Sequence, residues 1–542
     1  MIQNIRSSGI GIVLGLIITL MFAPQGIAAE KPVYGGHFPY IVSASNFPSM
    51  DAHREVTFAV VQPLAPFYSL LIKVNPENPS DPTDFVGDLA ESWSANKDET
   101  VWTFKLRKNV KFHDGSLMTS KDVKASFDKV IFPPEGVISS WKGYFPMVEA
   151  VEAPDDFTVV FKLKFGTKAF IPAVATPYLW IYKADILAKD MHWYEKNVMG
   201  TGAFKFKDHV AGSHVEGVKN PDYFIKGRPY LDSFRAIFIN KQAPQVAAIR
   251  GGRALINFRA FPPKTRDDLV KALGDKITVQ ESPWNCVLIV TPNHKVKPFD
   301  DPRVRRALSL ALDRWEASKT LSKIAIAKPV GGCVFPHHPL GLTDEELQQN
   351  IAGYSLDIEA SRKEARRLLK EAGVPEGFKI KFHNRGVEQP YKVLGIWVID
   401  QWRKIGLDVE HWVQPTAQFY ATLRAKKQAY AVSMDFNCRG VVNPLLDITK
   451  FLSDDIVGNQ YAEYQDRVLD ELHGKIMKEI DPVKLKKLLF QFEKRVLDEE
   501  AHQLITLWWN RIVPHHSRLK GWKISPSHYL NQDLVDVWLA KE

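Results

Sequence analysis

The chain has 542 residues, more than one hydrophobic core normally spans, so its length predicts several structural units. Hydrophobic residues make up 45% and charged residues 25%, the balance of a globular protein. The formal net charge of +9 raises the possibility of a nucleic-acid partner. Lys and Arg are spread along the chain without a basic block or an RNA-binding motif, which excludes that class.

The first 29 residues have the pattern of a signal peptide. Arg6 supplies a positive start, residues 10–22 form an apolar run, and small residues at 26–29 suit a signal peptidase. A membrane anchor needs about 20 apolar residues, more than this run supplies. We therefore expect residues 1–29 to be cleaved and the mature protein to be exported.

The cysteine count is three, with wide spacing. Cys286, Cys333 and Cys438 match neither a disulfide scaffold nor a zinc cluster. Cys286 and Cys438 lie in apolar, strand-like surroundings, which favours buried free thiols.

The first half of the chain shows the period-2 alternation of half-buried strands. Strands are expected at 38–42, 102–106, 110–112, 157–163 and 235–239. Thr119 precedes Asp122 by three residues, the spacing of a capping box, and Pro133 follows the helix that this cap begins.

From about residue 290 the pattern changes to alternating helices and strands. Helices are expected at 301–312, 357–372, 391–405, 466–478 and 482–499, and strands at 378–382, 407–413 and 503–509. This order indicates βαβ units on a mixed sheet and an α/β fold.

Residues 89–123 read LAESWSANKDETVWTFKLRKNVKFHDGSLMTSKDV. This segment resembles the signature of the family 5 extracellular solute-binding proteins, the periplasmic receptors of dipeptide, oligopeptide and nickel ABC importers. Further blocks resemble the family in the same order, at 197–206, 220–232, 297–313, 357–377 and 402–409. The matched blocks are mostly packing and turn residues, so they indicate the fold more than the ligand.

The resemblance implies the two-lobed periplasmic binding protein fold of type II, in its large form, with mixed sheets flanked by helices. Lobe I would take residues 30–290, with an inserted subdomain at about 61–189. Lobe II would take 291–509, and 510–542 would return to lobe I. Such a protein closes on its ligand by hinge bending.

The resemblance also suggests ligand-binding positions. Arg385 stands where dipeptide-binding members carry an Arg that faces the ligand carboxylate, a role that a guanidinium fills with two parallel hydrogen bonds. Peptide-binding members carry an Asp where this chain has Gly440, so recognition of an α-amino group is in doubt. Asp435 and Asp447 are alternative carboxylates. The further candidates are Arg439, Asn437, Cys438, Trp284, Asn285, Trp141 and Trp508.

The expected function is that of a non-enzymatic, monomeric periplasmic receptor that binds a small peptide-like or acidic solute and delivers it to a membrane ABC permease. No catalytic motif is found, and the adjacent histidine pairs at 337–338 and 515–516 chelate poorly, so neither a cofactor nor a metal is expected. The alternatives are a receptor for a metal chelate, a ligand sensor or holdase, and an exported hydrolase.

Overall fold

The computed structural model describes residues 30–425 and 429–541. The expected signal peptide at 1–29 lies outside the described residues. The strands are β1 (His37–Val42), β2 (Ile72–Val74), β3 (Phe85–Gly87), β4 (Ala90–Ala95), β5 (Val101–Leu106), β6 (Val148–Asp155), β7 (Thr158–Leu163), β8 (Phe204–Val210), β9 (His214–Lys219), β10 (Ser233–Phe238), β11 (Ile277–Pro292), β12 (Lys379–Arg385), β13 (Asp408–Gln414), β14 (Val432–Cys438), β15 (Leu504–His516), β16 (Leu519–Lys520) and β17 (Trp538–Leu539).

The helices lie mainly between these strands and around the second half of the chain. They are α1 (Phe58–Leu64), α2 (Ser120–Ile131), α3 (Phe170–Val174), α4 (Ala184–Lys189), α5 (Gln242–Arg250), α6 (Pro263–Leu273), α7 (Pro302–Leu310), α8 (Arg314–Leu321), α9 (Asp344–Asn350), α10 (Ile358–Glu371), α11 (Val393–Arg403), α12 (Thr416–Ala425), α13 (Pro444–Asp447), α14 (Arg467–Ile476) and α15 (Pro482–Lys494). Across 30–425 and 429–541, no helix has both the length and the apolar character that crossing a bilayer requires.

Two sheets organise the first half of the chain. One has the order β1-β10-β9-β8, with β1 parallel to β10 and the remaining pairs antiparallel, and we call the part built on it the first lobe. The other, β4-β5-β7-β6, is antiparallel and packs against α2. We call this second part, with α2 to α4, the insertion.

The second lobe is built on a mixed sheet with the order β13-β12-β14-β11-β15. Strand β12 runs parallel to both β13 and β14, so the carboxyl ends of these three strands meet at one edge. In α/β sheets such an edge is where ligands bind.

Two long antiparallel strands connect the lobes. The first half of β11 pairs with the end of β15, from Ile277 opposite His516 to Trp284 opposite Trp509. The second half of β11 pairs with β14 inside the second-lobe sheet. The expected lobe boundaries near 290 and 509 fall within these two strands and stay a prediction.

Most of the expected elements are present. The capping box is confirmed, since the Asp122 carboxylate accepts a hydrogen bond of 2.8 Å from the backbone N–H of Thr119 at the start of α2. The expected strand at 110–112 is wrong, because that stretch holds a single bridge between Lys111 and Leu117. Strand β15 extends to His516, well beyond the expected end.

The expectation of free thiols is wrong for two of the three cysteines. Cys286 and Cys438 stand opposite each other in the antiparallel β11–β14 register, with their Cα atoms 4.1 Å apart, and form a disulfide. Their sequence separation of 152 hid a pairing that only the sheet register creates. Cys333 is free and buried, as a structural thiol would be.

Candidate functional site

Arg385 ends strand β12 and lies at the carboxyl edge of the second-lobe sheet. Its guanidinium carbon is 5.1 Å from the ring centre of Tyr391 and 5.3 Å from that of Tyr420. It donates a 3.2 Å hydrogen bond to the Tyr391 hydroxyl, and the Tyr420 hydroxyl is 3.5 Å away. The aromatic rings therefore hold this cation in a fixed orientation.

Arg259, which sequence reasoning missed, belongs to the first lobe. Its guanidinium carbon lies 4.3 Å from the ring centre of Phe58 and 5.6 Å from that of Trp284. Among the described residues no hydrogen bond or ion pair engages this guanidinium, and its Nε is buried without a partner. An unpartnered buried donor is costly, which makes this side chain a candidate ligand contact.

The two arginines approach each other from different lobes. Burial lowers the pKa of Arg259 to about 10; Tyr391 opposes this change, and the positive charge of Arg385 adds to it. Arg259 therefore remains charged at neutral pH, close to a second cation.

The backbone around Arg259 is held by Arg511 of β15, which is itself buried. Arg511 donates hydrogen bonds to the backbone carbonyls of Phe258 and Arg259, the second at 3.3 Å, and to Ser525 at 2.7 Å. Because these bonds tie residue 259 to the crossing strand, the Arg259 side chain starts from a fixed position. In the sequence, the one available signal was a lone cation within the largely apolar run 254–261.

Arg439 lies where the second lobe meets the insertion. It donates hydrogen bonds of 3.1 Å to the Tyr144 hydroxyl and to the Thr449 hydroxyl, and its buried Nε has no partner in the part of the chain that the structure describes. Asn437 and Asn285 are both buried behind it, and the Asn437 side chain donates to the backbone carbonyl of Asp447 at 2.9 Å. The structure thus places the Arg439 side chain at the contact between the second lobe and the insertion, and it directs the Asn437 amide toward the backbone of its own lobe.

The three tryptophans predicted to bind the ligand, Trp284, Trp141 and Trp508, lie in different surroundings. Trp284 packs beside Arg259 and donates its indole N–H to His528 Nδ1 at 2.9 Å. Trp141 stacks on Tyr178 with ring centres 4.4 Å apart and donates to the backbone carbonyl of Ala52. Both rings are therefore oriented by a hydrogen bond.

Trp508 points into the second lobe, where its indole N–H donates to the Gly332 carbonyl at 3.1 Å and its ring packs on Phe335. Its neighbour Trp509 instead contacts Trp284 at 5.0 Å and Tyr391 at 6.1 Å between ring centres. Side chains alternate along a strand, so only one residue of the pair can face the arginines.

The two carboxylates considered for binding an amino group, Asp435 and Asp447, are both buried. Asp435 is buried and paired with the buried Lys450, whose Nζ is 2.5 Å from its carboxylate oxygen. Asp447 is fully buried, and burial raises its pKa to about 7, against the opposing effect of Arg439. Glu55, a partly buried carboxylate that precedes α1, lies 3.5 Å from Arg54.

Asp447 should make stability depend on pH. Its carboxyl has a pKa near 4 when unfolded and about 7 when folded, so the folded state binds the additional proton. Its contribution to stability is greatest below pH 4, is lost as the pH rises toward 7, and is constant above that. We expect Asp447→Asn to melt at increasingly higher temperatures than wild type as pH rises from 4 to 7. A difference independent of pH would contradict this assignment.

Gly440, the departure from the peptide-binding pattern, lies against the insertion. A Cβ placed on Gly440 would be 2.7 Å from Cδ and 3.0 Å from Cγ of the Pro177 ring, closer than van der Waals contact allows. The proline ring cannot rotate away, so a side chain at this position would push the second lobe and the insertion apart. The absent Asp is therefore explained by direct contact between the two parts.

We expect Gly440→Asp to hinder closure and to weaken solute binding about tenfold, since it inserts a side chain where no space exists. Titration calorimetry with the solute that co-purifies with the protein measures this loss. Gly458→Asp is the matched control, because a Cβ at Gly458 meets nothing within 4 Å. Tighter binding of an amine-bearing solute by Gly440→Asp would contradict the expectation.

Within the described ranges, no group of three or more His, Cys, Asp and Glu side chains is arranged to hold a metal ion. The groups that converge between the lobes are cations and aromatic rings. This combination is suited to binding an anion with an apolar body.

Comparison with known proteins agrees with this architecture. Residues 84–443 match the family described as bacterial extracellular solute-binding proteins, family 5 Middle. A putative ABC transporter peptide-binding protein of Brucella ovis is 30% identical over 296 residues, which cover 54% of this chain and 52% of that protein. The chain thus spans about half the length of this relative. The glutathione-binding protein of Pectobacterium atrosepticum is 27% identical over 406 residues, 73% of each chain.

The fold is also shared with solved structures. AgaA of A. tumefaciens R10, solved in complex with agropinic acid, superimposes with a TM-score of 0.80 at 23% identity, covering 94% of this chain and 99% of that one. The family match covers more than half of the chain. The two-lobed architecture of the solved structure is also the one observed in this protein. The chain belongs to the bacterial extracellular solute-binding proteins, family 5.

Proposed function

We propose that this protein is the periplasmic receptor of an ABC importer and that it captures a small acidic or peptide-like solute between its lobes. The closed receptor then docks on a membrane permease, which takes the solute. The protein binds its solute without chemically changing it.

The observation that carries this proposal is the half-buried Arg259 side chain, whose Nε is buried with no hydrogen-bond partner among the described residues, close to Arg385 of the other lobe. A carboxylate accepts hydrogen bonds from a guanidinium in pairs, and it would satisfy the donors that the described protein groups leave unused. The rings of Trp284 and Tyr391 supply apolar walls for the rest of a solute.

Three further observations support it. The relative from Pectobacterium atrosepticum is a glutathione-binding protein, and the solved structure of AgaA holds agropinic acid. The Cys286–Cys438 disulfide fits an oxidising compartment such as the periplasm.

Mass spectrometry of the purified protein under native conditions should reveal a co-purifying solute. After that solute is removed, thermal-shift measurements with organic acids, opines, dipeptides and glutathione should find acids that raise the melting temperature. Small-angle scattering should show compaction with the same compounds. If no small solute stabilises or compacts the protein, the receptor function is wrong. Turnover of a bound solute would instead support a hydrolase.

A further inference from the structure

We infer that Arg259 and Arg385 form an anion clamp, in which repulsion between the two cations opposes closure of the empty protein and a solute carboxylate placed between them reverses that repulsion. The inference rests on the proposed function. It adds a solute class, namely carboxylic acids that need no amino group, and a reason why closure depends on the solute.

The geometry places one cation of the clamp on each lobe. Arg259 lies over Trp284 in the first half of the crossing strand, while Arg385 lies over Tyr391 at the edge of the second-lobe sheet. Trp509 joins the two ring systems, with ring centres 5.0 Å from Trp284 and 6.1 Å from Tyr391. A continuous row of aromatic rings therefore connects the two guanidinium groups across the hinge strands.

The charges around Arg259 do not neutralise it. Arg511 adds a further buried cation on the same side, and His528 is kept neutral because burial, Arg259 and Arg511 all lower its pKa. The tyrosines near Arg259 are neutral at pH 7, with the pKa of Tyr391 raised chiefly by burial. Asp435, which lies toward Arg385, is already paired with Lys450.

The two arginines make closure of the empty protein less favourable. Bringing two like charges together in a partly buried site costs free energy, and the cost is absent when the lobes separate and water screens each charge. A carboxylate has lone pairs enough to accept from both guanidinium groups, so one bound carboxylate converts repulsion into two attractions. A solute shifts a conformational equilibrium only through different affinities for the two states, and the clamp supplies that difference.

The three positions considered for binding an amino group narrow the solute class. Asp435 is paired with Lys450, Asp447 is fully buried, and Gly440 replaces the Asp of peptide-binding members. An α-amino group therefore gains no ion pair from these three positions. We accordingly expect N-acetylation of an amino-acid solute to leave its affinity within about threefold, and amidation of its carboxylate to abolish binding.

The first test uses the ligand-free mature protein, labelled with a fluorophore pair on the two lobes and freed of bound solute by reversible unfolding in guanidinium. We expect Arg259→Gln to raise the ratio of closed to open molecules about tenfold relative to wild type. Arg259→Lys keeps the charge and should remain open. Arg253→Gln, which removes an exposed arginine of the same segment, is the control and should behave as wild type.

Sodium chloride provides a second measurement that needs no variant. Raising it from 20 mM to 500 mM should increase the closed fraction of empty wild type by screening the two cations, and should have little effect on Arg259→Gln. If circular dichroism shows that Arg259→Gln does not fold, the salt series on wild type alone tests whether repulsion between the two arginines opposes closure. A closed fraction that neither the variant nor salt changes would overturn it.

The failure of the clamp and the failure of the receptor function give different results. If acids close wild type but ligand-free Arg259→Gln remains as open as wild type, the clamp is wrong and the receptor function stands. If the ligand-free measurements respond as expected but no solute closes wild type, the receptor function is wrong. Equal binding of an acid and its amide would also contradict the clamp.

Discussion

Replacing Arg385 with alanine is expected to weaken solute binding by more than about tenfold while leaving the protein folded. A charge-assisted hydrogen bond to a carboxylate is worth more than a neutral one, and its loss leaves the carboxylate buried without its partner. The Arg385 guanidinium is held by Tyr391 and Tyr420, so it is oriented before the solute arrives. Little side-chain freedom remains to be lost on binding.

Titration calorimetry with the co-purifying solute measures the effect, and native mass spectrometry measures how much solute stays bound after purification. Arg366→Ala is the matched control, since Arg366 is exposed on α10 and its Nη1 donates a hydrogen bond to the Lys404 carbonyl. Circular dichroism and melting temperature check the fold of both variants. An affinity of Arg385→Ala equal to that of the control would remove Arg385 from the site.

Arg385→Lys separates the contribution of charge from that of hydrogen-bond geometry. Lysine keeps the positive charge but cannot make two parallel hydrogen bonds to one carboxylate. If geometry matters as much as charge, Arg385→Lys should bind more weakly than wild type and more tightly than Arg385→Ala. Equal affinities of the lysine variant and wild type would mean that charge alone is recognised.

Local sequence patterns predicted the elements that local chemistry determines. The capping box at Thr119 depends on neighbouring residues and is confirmed. The helices expected from residues 301 and 357 are present as α7 and α10, each with an Asp at its N-cap. The same applies to strands with clear alternation such as β1 and β7. In each case the interaction that decides the structure lies within about one turn or one strand of sequence.

The site was less predictable because it depends on long-range register. Arg259 becomes a candidate only when Trp284 and Phe58 are placed beside it, and no spacing in the sequence connects these residues. The choice between Trp508 and Trp509 depends on which face of β15 meets β11. A shift of register by one residue would exchange the two side chains between faces.

The disulfide between Cys286 and Cys438 is expected to contribute about 2–4 kcal/mol to the stability of the second lobe. It closes a loop across a sequence separation of 152, so it restricts a large part of the unfolded chain. The double variant Cys286→Ala/Cys438→Ala should therefore melt roughly 5 °C below wild type. Differential scanning calorimetry measures this change, because it separates the transitions of lobes that unfold independently.

Cys333→Ala separates loss of the disulfide from loss of a buried sulfur atom, since Cys333 is free and buried in the same chain. Dithiothreitol should lower the melting temperature of wild type and of Cys333→Ala, and should leave the double variant unchanged. A wild-type melting temperature that reductant does not change would contradict a stabilising disulfide.

Loss of the disulfide should also weaken solute binding, because the disulfide lies next to Arg439. It joins the middle of β11 to the end of β14 next to Arg439, whose backbone N–H donates to the Asn285 carbonyl at 3.1 Å. Without the crosslink the end of β14 separates from β11 more easily, so Arg439 would meet Tyr144 of the insertion less often. We expect the double variant to bind solute more weakly even at temperatures where it is fully folded. Unchanged affinity would show that the crosslink serves stability alone.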